Sequence, residues 1–295
     1  MGLSCSKPSS YPETLPAYLE KLNDKSSTVV IERILSESDV EIVVPVMAQS
    51  FALSPEAFND WAIGPDLALG TSDDNDEKRV HFVEWYMRWV FYTCIYYGVI
   101  LVAKDKTTGS ILGVVNTLLP ENNYAADHTS FRFHNIKIMM KMKSNPPEIL
   151  GKEALHRMEV MGKMMHRMHE GAVAASCGSN GGKEQQPWYI YVLATSPKAQ
   201  GTGCGTMLLQ AIHHLADHDK VDTILETSGE ANIGFYCRPK LGYTKVGPEF
   251  SSADESNTTD DPVITAQSLV RHPIIAVAAV DELLQLPQWM RIKEK

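Results

Sequence analysis

The chain has 295 residues, of which 44% are hydrophobic and 21% charged, a composition typical of a globular protein with a sizeable core. Its 27 Lys and Arg against 36 Asp and Glu give a net charge of −9, which excludes a general nucleic-acid binder because such proteins need a basic surface. The sequence has no run of about eighteen apolar residues and no apolar signal segment, so neither a membrane span nor secretion is expected.

The first ten residues, MGLSCSKPSS, match the acceptor pattern for N-myristoylation, with Gly2 exposed once Met1 is removed. One myristoyl chain binds membranes only weakly, with an association constant of about 10⁴ M⁻¹, so a second anchor is needed. Cys5 could carry a palmitoyl chain as that anchor. The pattern therefore predicts lipidation and peripheral membrane association in a eukaryotic host. The alternative is an unmodified arm in which Gly2 and Ser6 match by chance.

The first half of the chain combines helical and strand patterns. Residues 7–28 are rich in Pro and Ser with little apolar periodicity, which predicts a flexible N-terminal arm over 1–28. The elements expected after this arm are a strand at 29–35, a helix at 40–51, helical material within 56–97 interrupted by a polar loop at 70–78, and an antiparallel hairpin of 99–104 with 111–119.

The second half continues the alternation of helix and strand. The elements expected there are a helix at 148–170, a mobile glycine-rich loop at 171–187, a strand at 188–195, a helix at 203–217, a strand at 223–227, a short helix near 232–238, an acidic loop at 251–262 and a closing strand at 263–270. We expect one α/β domain over 29–272, with the loops 171–187 and 251–262 as insertions and a C-terminal tail at 273–295.

The cysteines indicate a reducing compartment. They are odd in number, widely spaced and without a CxxC pair, which argues against a disulfide framework or a zinc ribbon: Cys5, Cys94, Cys177, Cys204 and Cys237. The expected location is therefore the cytoplasm.

The segment WYIYVLATSPKAQGTGCGTMLL, residues 188–209, carries the clearest chemical signal. An apolar strand leads into a glycine-rich loop and then into a helix. Because Gly201, Gly203 and Gly205 lack side chains, successive backbone N–H groups can surround an anion there. The helix N-terminus adds about half a unit of positive charge. This pattern predicts a metal-independent cradle for a phosphate or pyrophosphate group.

Three nucleotide-binding motifs fit this loop to different degrees. A P-loop requires Lys followed by Ser or Thr after the last glycine, and Thr206-Met207 does not supply them. A dinucleotide fingerprint is favoured by Glu226 about twenty residues on, but residues 196–200 separate strand from loop and Thr206 occupies the third glycine position. The third motif is Q-x-x-G-x-G, formed by Gln200, Gly203 and Gly205, which resembles the acetyl-coenzyme A motif of the GNAT superfamily of N-acetyltransferases.

A second block strengthens the resemblance. Residues 225–243, LETSGEANIGFYCRPKLGY, are similar to the later GNAT block, with an acid on a strand, an Asn, a Tyr on a short helix and then Leu-Gly-Tyr. The spacing within this block most resembles the branch that includes puromycin N-acetyltransferase. The resemblance covers about 188–246. It implies the GNAT fold, an α/β architecture whose mixed central sheet of six to seven strands contains a splayed pair and is flanked by helices.

The resemblance also implies roles for particular residues. Tyr236 matches the general acid and Glu226 a position that acts as base in some members. The implied cofactor-binding residues are Leu193, Ala194, Thr195, Gln200, Gly201, Thr202, Gly203, Cys204, Gly205, Thr206 and Asn232. Simpler roles stay open: Tyr236 could pack in the core, Glu226 could orient a loop, and Asn232 could cap the short helix.

The function expected from these residues is acetyl-CoA-dependent N-acetylation of a primary amine, with a small molecule favoured as acceptor. Transfer is expected to be direct, without a cysteine nucleophile or a metal. The methionines between Met139 and Met168 could line the acceptor pocket or fill a core. Two other functions stay open: an NAD-type dinucleotide-dependent oxidoreductase, and a membrane-tethered coenzyme A-binding module without catalysis.

Overall fold

The structure, a computed structural model, describes residues 11–54, 57–122, 136, 138–142, 151–177, 186–254 and 263–274. Gly2, Cys5 and almost all of the predicted C-terminal tail lie outside the described residues, as do 178–185 of the predicted glycine-rich loop and 255–262 of the acidic loop.

A seven-stranded mixed sheet forms the centre of the molecule. Its strands are β1 (Val29–Ile34), β2 (Gly98–Asp105), β3 (Ile111–Leu118), β4 (Trp188–Thr195), β5 (Thr223–Ser228), β6 (Thr244–Ser251) and β7 (Thr265–Arg271). Their spatial order is β1-β2-β3-β4-β5-β7-β6. Within this sheet β4 pairs with β5 in parallel, and the other neighbours pair antiparallel. The predicted α/β class and the strand number are confirmed.

Helices cover both faces of this sheet. They are α1 (Tyr11–Asp24), α2 (Val40–Ala52), α3 (Ala57–Ile63), α4 (Asp73–Tyr97), α5 (Gly151–Cys177), α6 (Cys204–Asp219) and α7 (Glu230–Tyr236). Alternate strand residues point to opposite faces, as the pleat requires. In β2, Ile100 and Val102 pack with α2 and α4, whereas Val99 and Leu101 pack with α1 and α6.

The N-terminal arm predicted over residues 1–28 is helical over most of the part that the structure describes. Tyr11–Asp24 forms α1, which buries Leu15, Leu19 and Leu22 against α6 and β1. These leucines are spaced by four and three residues and so share one face of a helix. The surrounding Pro and Ser residues conceal that stripe in the sequence.

The polar loop predicted at 70–78 is mostly the first turn of α4. The Ser72 hydroxyl caps this helix by accepting a hydrogen bond from the Asn75 N–H at 3.1 Å. Three aspartates follow in the first turn, where the helix dipole favours negative charge: Asp73, Asp74 and Asp76. Polarity here therefore marks the beginning of a helix.

The loop predicted at 171–187 begins later than expected. Helix α5 continues to Cys177, and its last turns bury Ala172 and Ser176. Strand β6 is not predicted by the sequence patterns because it is a largely exposed edge strand with no alternation of buried and exposed residues.

Helix α6 carries a buried polar pair. His213 Nε2 lies 3.0 Å from the Tyr243 hydroxyl, and both side chains are shielded from water. Burial lowers the pKa of His213 to about 3, and the positive charge of Arg271 acts in the same direction. His213 is therefore a neutral, structural residue at physiological pH.

Candidate active site

The candidate site is a cleft that opens where β4 and β5 separate. The two strands pair only at Trp188 with Thr223 and at Tyr189 with Ile224, and beyond these residues they diverge. A bulge shifts the register of β4 against β3 between Val192 and Ile190, so Tyr191 is the extra residue. The cleft encloses a cavity of about 610 Å³. The splayed pair expected for the sheet is observed here.

The edge of β4 that faces the cleft presents backbone groups that have no neighbouring strand to pair with. The Ser196 N–H donates to the Leu112 carbonyl on the β3 side, so the backbone polar groups of Thr195 point the other way, into the cleft. The Ser50 hydroxyl on α2 binds both of them, accepting from the Thr195 N–H at 3.1 Å and donating to its carbonyl at 2.9 Å. Leu193, two residues earlier, has the same orientation and directs its N–H and carbonyl into the cleft.

The glycine loop follows β4 and leads into α6. Gly201 and Gly203 have φ of 79° and 87°, backbone conformations that other residues adopt only at a cost. Gly203 is the N-cap of α6, and no side chain caps this helix end. The first turn contains no acidic residue, so its free N–H groups and the positive end of the helix dipole face the cleft without a competing anion.

Close packing explains the third glycine and the adjacent cysteine. A Cβ on Gly205 would lie 3.2 Å from Thr195 Oγ1, so a larger residue would push the helix away from β4. Cys204 is 1% exposed, and its thiol lies 3.8 Å from the Ala199 carbonyl. Its sulfur is packed inside the protein, which supports direct transfer over an acyl-cysteine step.

Tyr236 ends α7 and lines the cavity. Its ring packs edge-on against Phe235 and Tyr243, with ring centroids 5.1 and 5.6 Å apart. Tyr243 is itself held by the buried His213. Tyr236 is therefore positioned by aromatic packing while it faces the cleft, so a packing role and an acid role are compatible.

Glu226 is a buried carboxylate on the opposite face of the sheet from Tyr236. Its side chain is 1% exposed and lines the cavity. One oxygen, Oε1, lies 3.1 Å from Nδ1 of His169 on α5, and the His169 side chain is 11% exposed. The other oxygen, Oε2, is buried without a close hydrogen-bond partner among the described residues, and the Tyr189 hydroxyl lies near enough to interact with the carboxylate. A buried carboxylate oxygen without a partner is costly, so this atom is ready to accept a proton donor from a ligand.

Aromatic rings surround this carboxylate. Tyr189 lies against His169 with ring centroids 4.3 Å apart, and Tyr191 lies 5.4 Å from Tyr189. Burial raises the pKa of Tyr189 well above its usual value, and the negative charge of Glu226 acts in the same direction. Burial also raises the pKa of Tyr191 well above its usual value. These phenols stay neutral, so Glu226 is the acidic group at this end of the cavity.

The structure brings most of the predicted site residues together. Eleven of them line the cavity: Leu193, Thr195, Gln200, Gly201, Gly203, Cys204, Gly205, Thr206, Glu226, Asn232 and Tyr236. Ala194 does not, because its side chain is buried on the α2 face of the sheet. Thr202 is also absent from the lining, and its hydroxyl donates to the Ala199 carbonyl at 2.7 Å. Their assigned roles stay predictions.

Asn232 is not the cap of α7. The N-cap is Gly229, and the Asn232 amide donates to the Ser228 carbonyl at 3.1 Å from within the helix. The capping alternative is therefore wrong, and Asn232 remains available to a ligand because its side chain lines the cavity.

Sequence reasoning missed Ser50 and Arg238, which line the cavity, and His169, which contacts Glu226. The Arg238 guanidinium lies over the Phe235 ring, 5.4 Å from its centroid, and lines the cavity beside Tyr236. Ser50 and His169 lie 145 and 57 residues from the groups they bind, so no local motif marks them.

The methionines of α5 divide between the two roles considered from sequence. Met161 and Met165 line the cavity. Met164 and Met168 are fully buried and pack against Ala266 of β7. One helix therefore supplies both core and cavity wall, as its 3.6-residue period allows.

A comparison with protein-family models finds one match. Residues 140–255, which include β4, the glycine loop, α6, β5 and α7, match the model described as an acetyltransferase (GNAT) domain. This stretch of the chain is similar to a GNAT acetyltransferase domain. GNAT enzymes use acetyl-CoA as co-substrate. This match favours the acetyltransferase interpretation of the glycine loop over the NAD-type oxidoreductase.

Solved structures with similar folds include several acetyltransferases. One is the histone acetyltransferase HPA2 and related acetyltransferase from Corynebacterium glutamicum, 21% identical, covering 83% of this chain and 97% of that one with a TM-score of 0.45. Another is Drosophila melanogaster polyamine N-acetyltransferase, which forms N-acetylagmatine, 11% identical, covering 83% and 99% with a TM-score of 0.47. A third is mosquito arylalkylamine N-acetyltransferase-like 5b, 14% identical, covering 83% and 99% with a TM-score of 0.43. At these values the likeness says nothing about the acceptor of this chain. No curated protein sequence matches the chain.

Two further searches concern metals and membranes. Among the described residues, no group of three or more His, Cys, Asp or Glu side chains could hold a metal ion. The metal-independent reaction stays a prediction. In the same part of the chain, no helix combines the length and apolarity needed to cross a bilayer.

Proposed function

We propose that this chain is an acetyl-CoA-dependent N-acetyltransferase that transfers acetyl directly to the primary amine of a small molecule. One observation carries the proposal: a single cavity joins an open strand edge, an anion-binding helix end, the phenol of Tyr236 and the half-paired carboxylate of Glu226. An acetyltransferase needs these four features to hold a coenzyme and to move protons on both sides of the acetyl group.

The coenzyme side of the cleft fits an acyl-CoA. The N–H groups at the beginning of α6 suit a pyrophosphate, because Gly201 and Gly203 keep the loop free of side chains and the first turn lacks acids. The N–H and carbonyl of Leu193 face the cleft and suit the amide groups of an extended pantetheine arm. In the same way, a backbone N–H at this edge would stabilise negative charge on the thioester oxygen, where one donor contributes about 10²–10³ in rate.

Proton transfers are assigned to two residues on opposite faces of the sheet. Acetyl-CoA supplies a thioester whose acetyl group passes to the nitrogen while the sulfur leaves as a thiol. Glu226 Oε2 would take a proton from the incoming ammonium, which frees the nitrogen lone pair. The Tyr236 hydroxyl would donate a proton to the departing sulfur, since a phenol with an ordinary pKa of about 10 stays protonated at neutral pH. The second proton that the nitrogen loses as the amide forms would restore the phenol.

His169 is assigned as a positioning residue for Glu226. With its proton on Nδ1, the imidazole donates to Oε1 at 3.1 Å. This bond fixes the carboxylate and leaves Oε2 directed at the cavity. Its contact with the Tyr189 ring limits rotation of the imidazole.

Thiol release from acetyl-CoA in the presence of an amine panel tests the proposal, with acetyl-CoA binding followed separately by calorimetry. The expected result is micromolar-range binding and amine-dependent thiol release. No heat of binding to well-folded protein would refute the proposal. Binding without thiol release for any amine would instead favour a coenzyme A-binding module without catalysis.

The narrower resemblance to puromycin N-acetyltransferase is also carried as a proposal. It is supported by the spacing of Glu226, Asn232 and Tyr236 in the second sequence block. Puromycin therefore belongs in the amine panel. Turnover of puromycin within tenfold of the best amine is expected, and no detectable turnover would contradict the narrower assignment.

N-terminal lipidation is proposed from the sequence pattern alone. Myristoylation of Gly2 with palmitoylation of Cys5 would anchor an otherwise cytoplasmic enzyme to a membrane surface. Mass spectrometry of the protein from its native host checks both groups, with Gly2→Ala as control. An unmodified Gly2 in the native protein would remove the membrane assignment and leave the acetyltransferase proposal unaffected.

A further inference from the structure

The acceptor end of the cavity has an apolar, ring-rich wall. It is formed by side chains from four helices and the bulged strand: Phe51, Phe58, Tyr86, Met161, Met165 and Tyr191. The Tyr86 and Tyr191 hydroxyls hydrogen-bond each other, and burial raises the pKa of both phenols, so neither offers a charge. A ligand that fills this end therefore meets rings and thioethers.

One carboxylate faces this wall. Glu226 is the single acidic side chain that lines the cavity among the described residues. Since His169 occupies Oε1, only Oε2 is open to a ligand. The lining includes one cation, Arg238, which lies beside Phe235 on the other face of the sheet. Within the described part of the chain, the acceptor end thus offers a carboxylate for one ammonium group and none for a second.

We infer that the acceptor is a primary monoamine carried on an apolar, ring-bearing body, with its ammonium on Glu226 and its body against the methionine and aromatic wall. This inference rests on the proposed function and specifies its substrate. A diamine or polyamine would place a second ammonium on the wall, where it loses water without gaining a carboxylate. A flat ring instead buries apolar area and makes favourable contacts with thioether sulfur.

Three amines test the inference with wild-type enzyme: 2-phenylethylamine, butylamine and 1,4-diaminobutane. Butylamine and 1,4-diaminobutane differ by one amino group, so their comparison isolates the second charge. We expect kcat/KM to fall by about tenfold or more from butylamine to 1,4-diaminobutane, because an unpaired charge is desolvated. From 2-phenylethylamine to butylamine we expect a fall of about tenfold for the lost ring contacts.

A substitution at Met165 tests whether a second carboxylate in the wall makes the diamine a better substrate. Met165 lies one helical turn before His169 on α5, and therefore on the same face. Met165→Glu adds a second carboxylate to the wall and is expected to raise kcat/KM for 1,4-diaminobutane relative to butylamine by about tenfold. Met165→Leu, the matched control, keeps the wall apolar and should leave that ratio within about threefold of wild type. Met161→Glu, one helical turn before Met165, is the alternative variant if Met165→Glu does not fold.

The outcomes separate the inference from the proposed function. Faster turnover of 1,4-diaminobutane than of 2-phenylethylamine by wild-type enzyme would overturn the inference and leave the acetyltransferase proposal standing. An unchanged diamine ratio in folded Met165→Glu and Met161→Glu would overturn it as well. No turnover of any amine, with acetyl-CoA bound, would overturn both.

Discussion

Replacement of His169 by Leu removes the hydrogen bond that fixes Glu226 without touching the predicted coenzyme site. Leucine fills a similar volume and keeps the contact with the Tyr189 ring apolar. Oε1 of Glu226 then loses its hydrogen bond to Nδ1 of His169. The carboxylate can rotate or recruit water, and its alignment with the incoming ammonium is lost.

The size of the effect follows from the burial of the pair. Hydrogen bonds to charged groups contribute about 1.5–3 kcal/mol, and the side chains of His169 and Glu226 are only 11% and 1% exposed, so water screens this bond little. Because about 1.4 kcal/mol corresponds to tenfold in rate, we expect kcat for His169→Leu to fall by roughly 10- to 100-fold. KM for acetyl-CoA should stay within about threefold of wild type, since Glu226 and the loop lie on different faces of the sheet.

Thiol-release kinetics at saturating acetyl-CoA measure this effect, and thermal melting confirms that the variant folds. His169→Asn is the matched control, because the asparagine amide can reach the position of Nδ1 and should restore most of the lost kcat. Combining His169→Leu with Glu226→Gln should cost little beyond Glu226→Gln alone, as expected when one residue acts through another. A folded His169→Leu enzyme with unchanged kcat would refute the reasoning, as would additive effects in the double variant.

Three further predictions concern other parts of the site. Tyr236→Phe should lower kcat by roughly ten- to a thousand-fold with acetyl-CoA affinity retained in calorimetry, because the proton donor is lost while the ring packing remains; unchanged turnover would exclude the acid role. Gly203→Ala should raise the Kd of acetyl-CoA by about tenfold, since φ of 87° strains any residue with a Cβ. The control is Gly162→Ala on α5, where a Cβ meets open space. This control should stabilise the helix by about 0.5–1 kcal/mol and leave the Kd unchanged. Equal Kd values for the two alanine variants would contradict the cradle. The pKa of His213 is about 3 in the folded protein and ordinarily 6.5, so as the pH falls this side chain takes up a proton in the unfolded chain first. Its contribution to the free energy of unfolding is therefore complete above pH 6.5 and is lost as the pH falls toward 3. The destabilisation caused by His213→Gln should therefore be constant above pH 6.5 and shrink by about 1.4 kcal/mol per pH unit below it in urea titrations, and a pH-independent difference would show that His213 is not buried as described.

Features formed by residues that are adjacent in the sequence could be predicted from the sequence. Strand β4, the glycine loop and the beginning of α6 form one continuous segment. The apolar strand pattern, the turn residues and the apolar stripe of the helix follow each other there, and together they predict a strand–loop–helix unit. The residue types of this segment also limit its ligand, because three glycines before an uncapped helix suit an anion. The same local logic identifies the β2–β3 hairpin.

Features made by distant residues could not be predicted. Ser50 reaches Thr195 across 145 residues and His169 reaches Glu226 across 57, and neither partner shows a local pattern. Helix α1 illustrates the opposite problem. Its stripe of Leu15, Leu19 and Leu22 lies within one short segment, but neighbouring Pro and Ser residues mask the pattern. The helix is stabilised by packing against α6, a distant part of the chain.

Because β4 and β5 separate, ligand binding in the cleft between them should also affect how long the protein survives in the cell. A ligand seated along the cleft edge of β4 takes the place of the missing strand neighbour, so it reinforces the middle of the sheet and not merely its surface. By mass action, a hundredfold excess over Kd adds about 2.7 kcal/mol to the free energy of unfolding. Cells well supplied with the coenzyme would thus protect this protein from proteolysis, and starvation for it would lower both the rate of the reaction and the amount of enzyme.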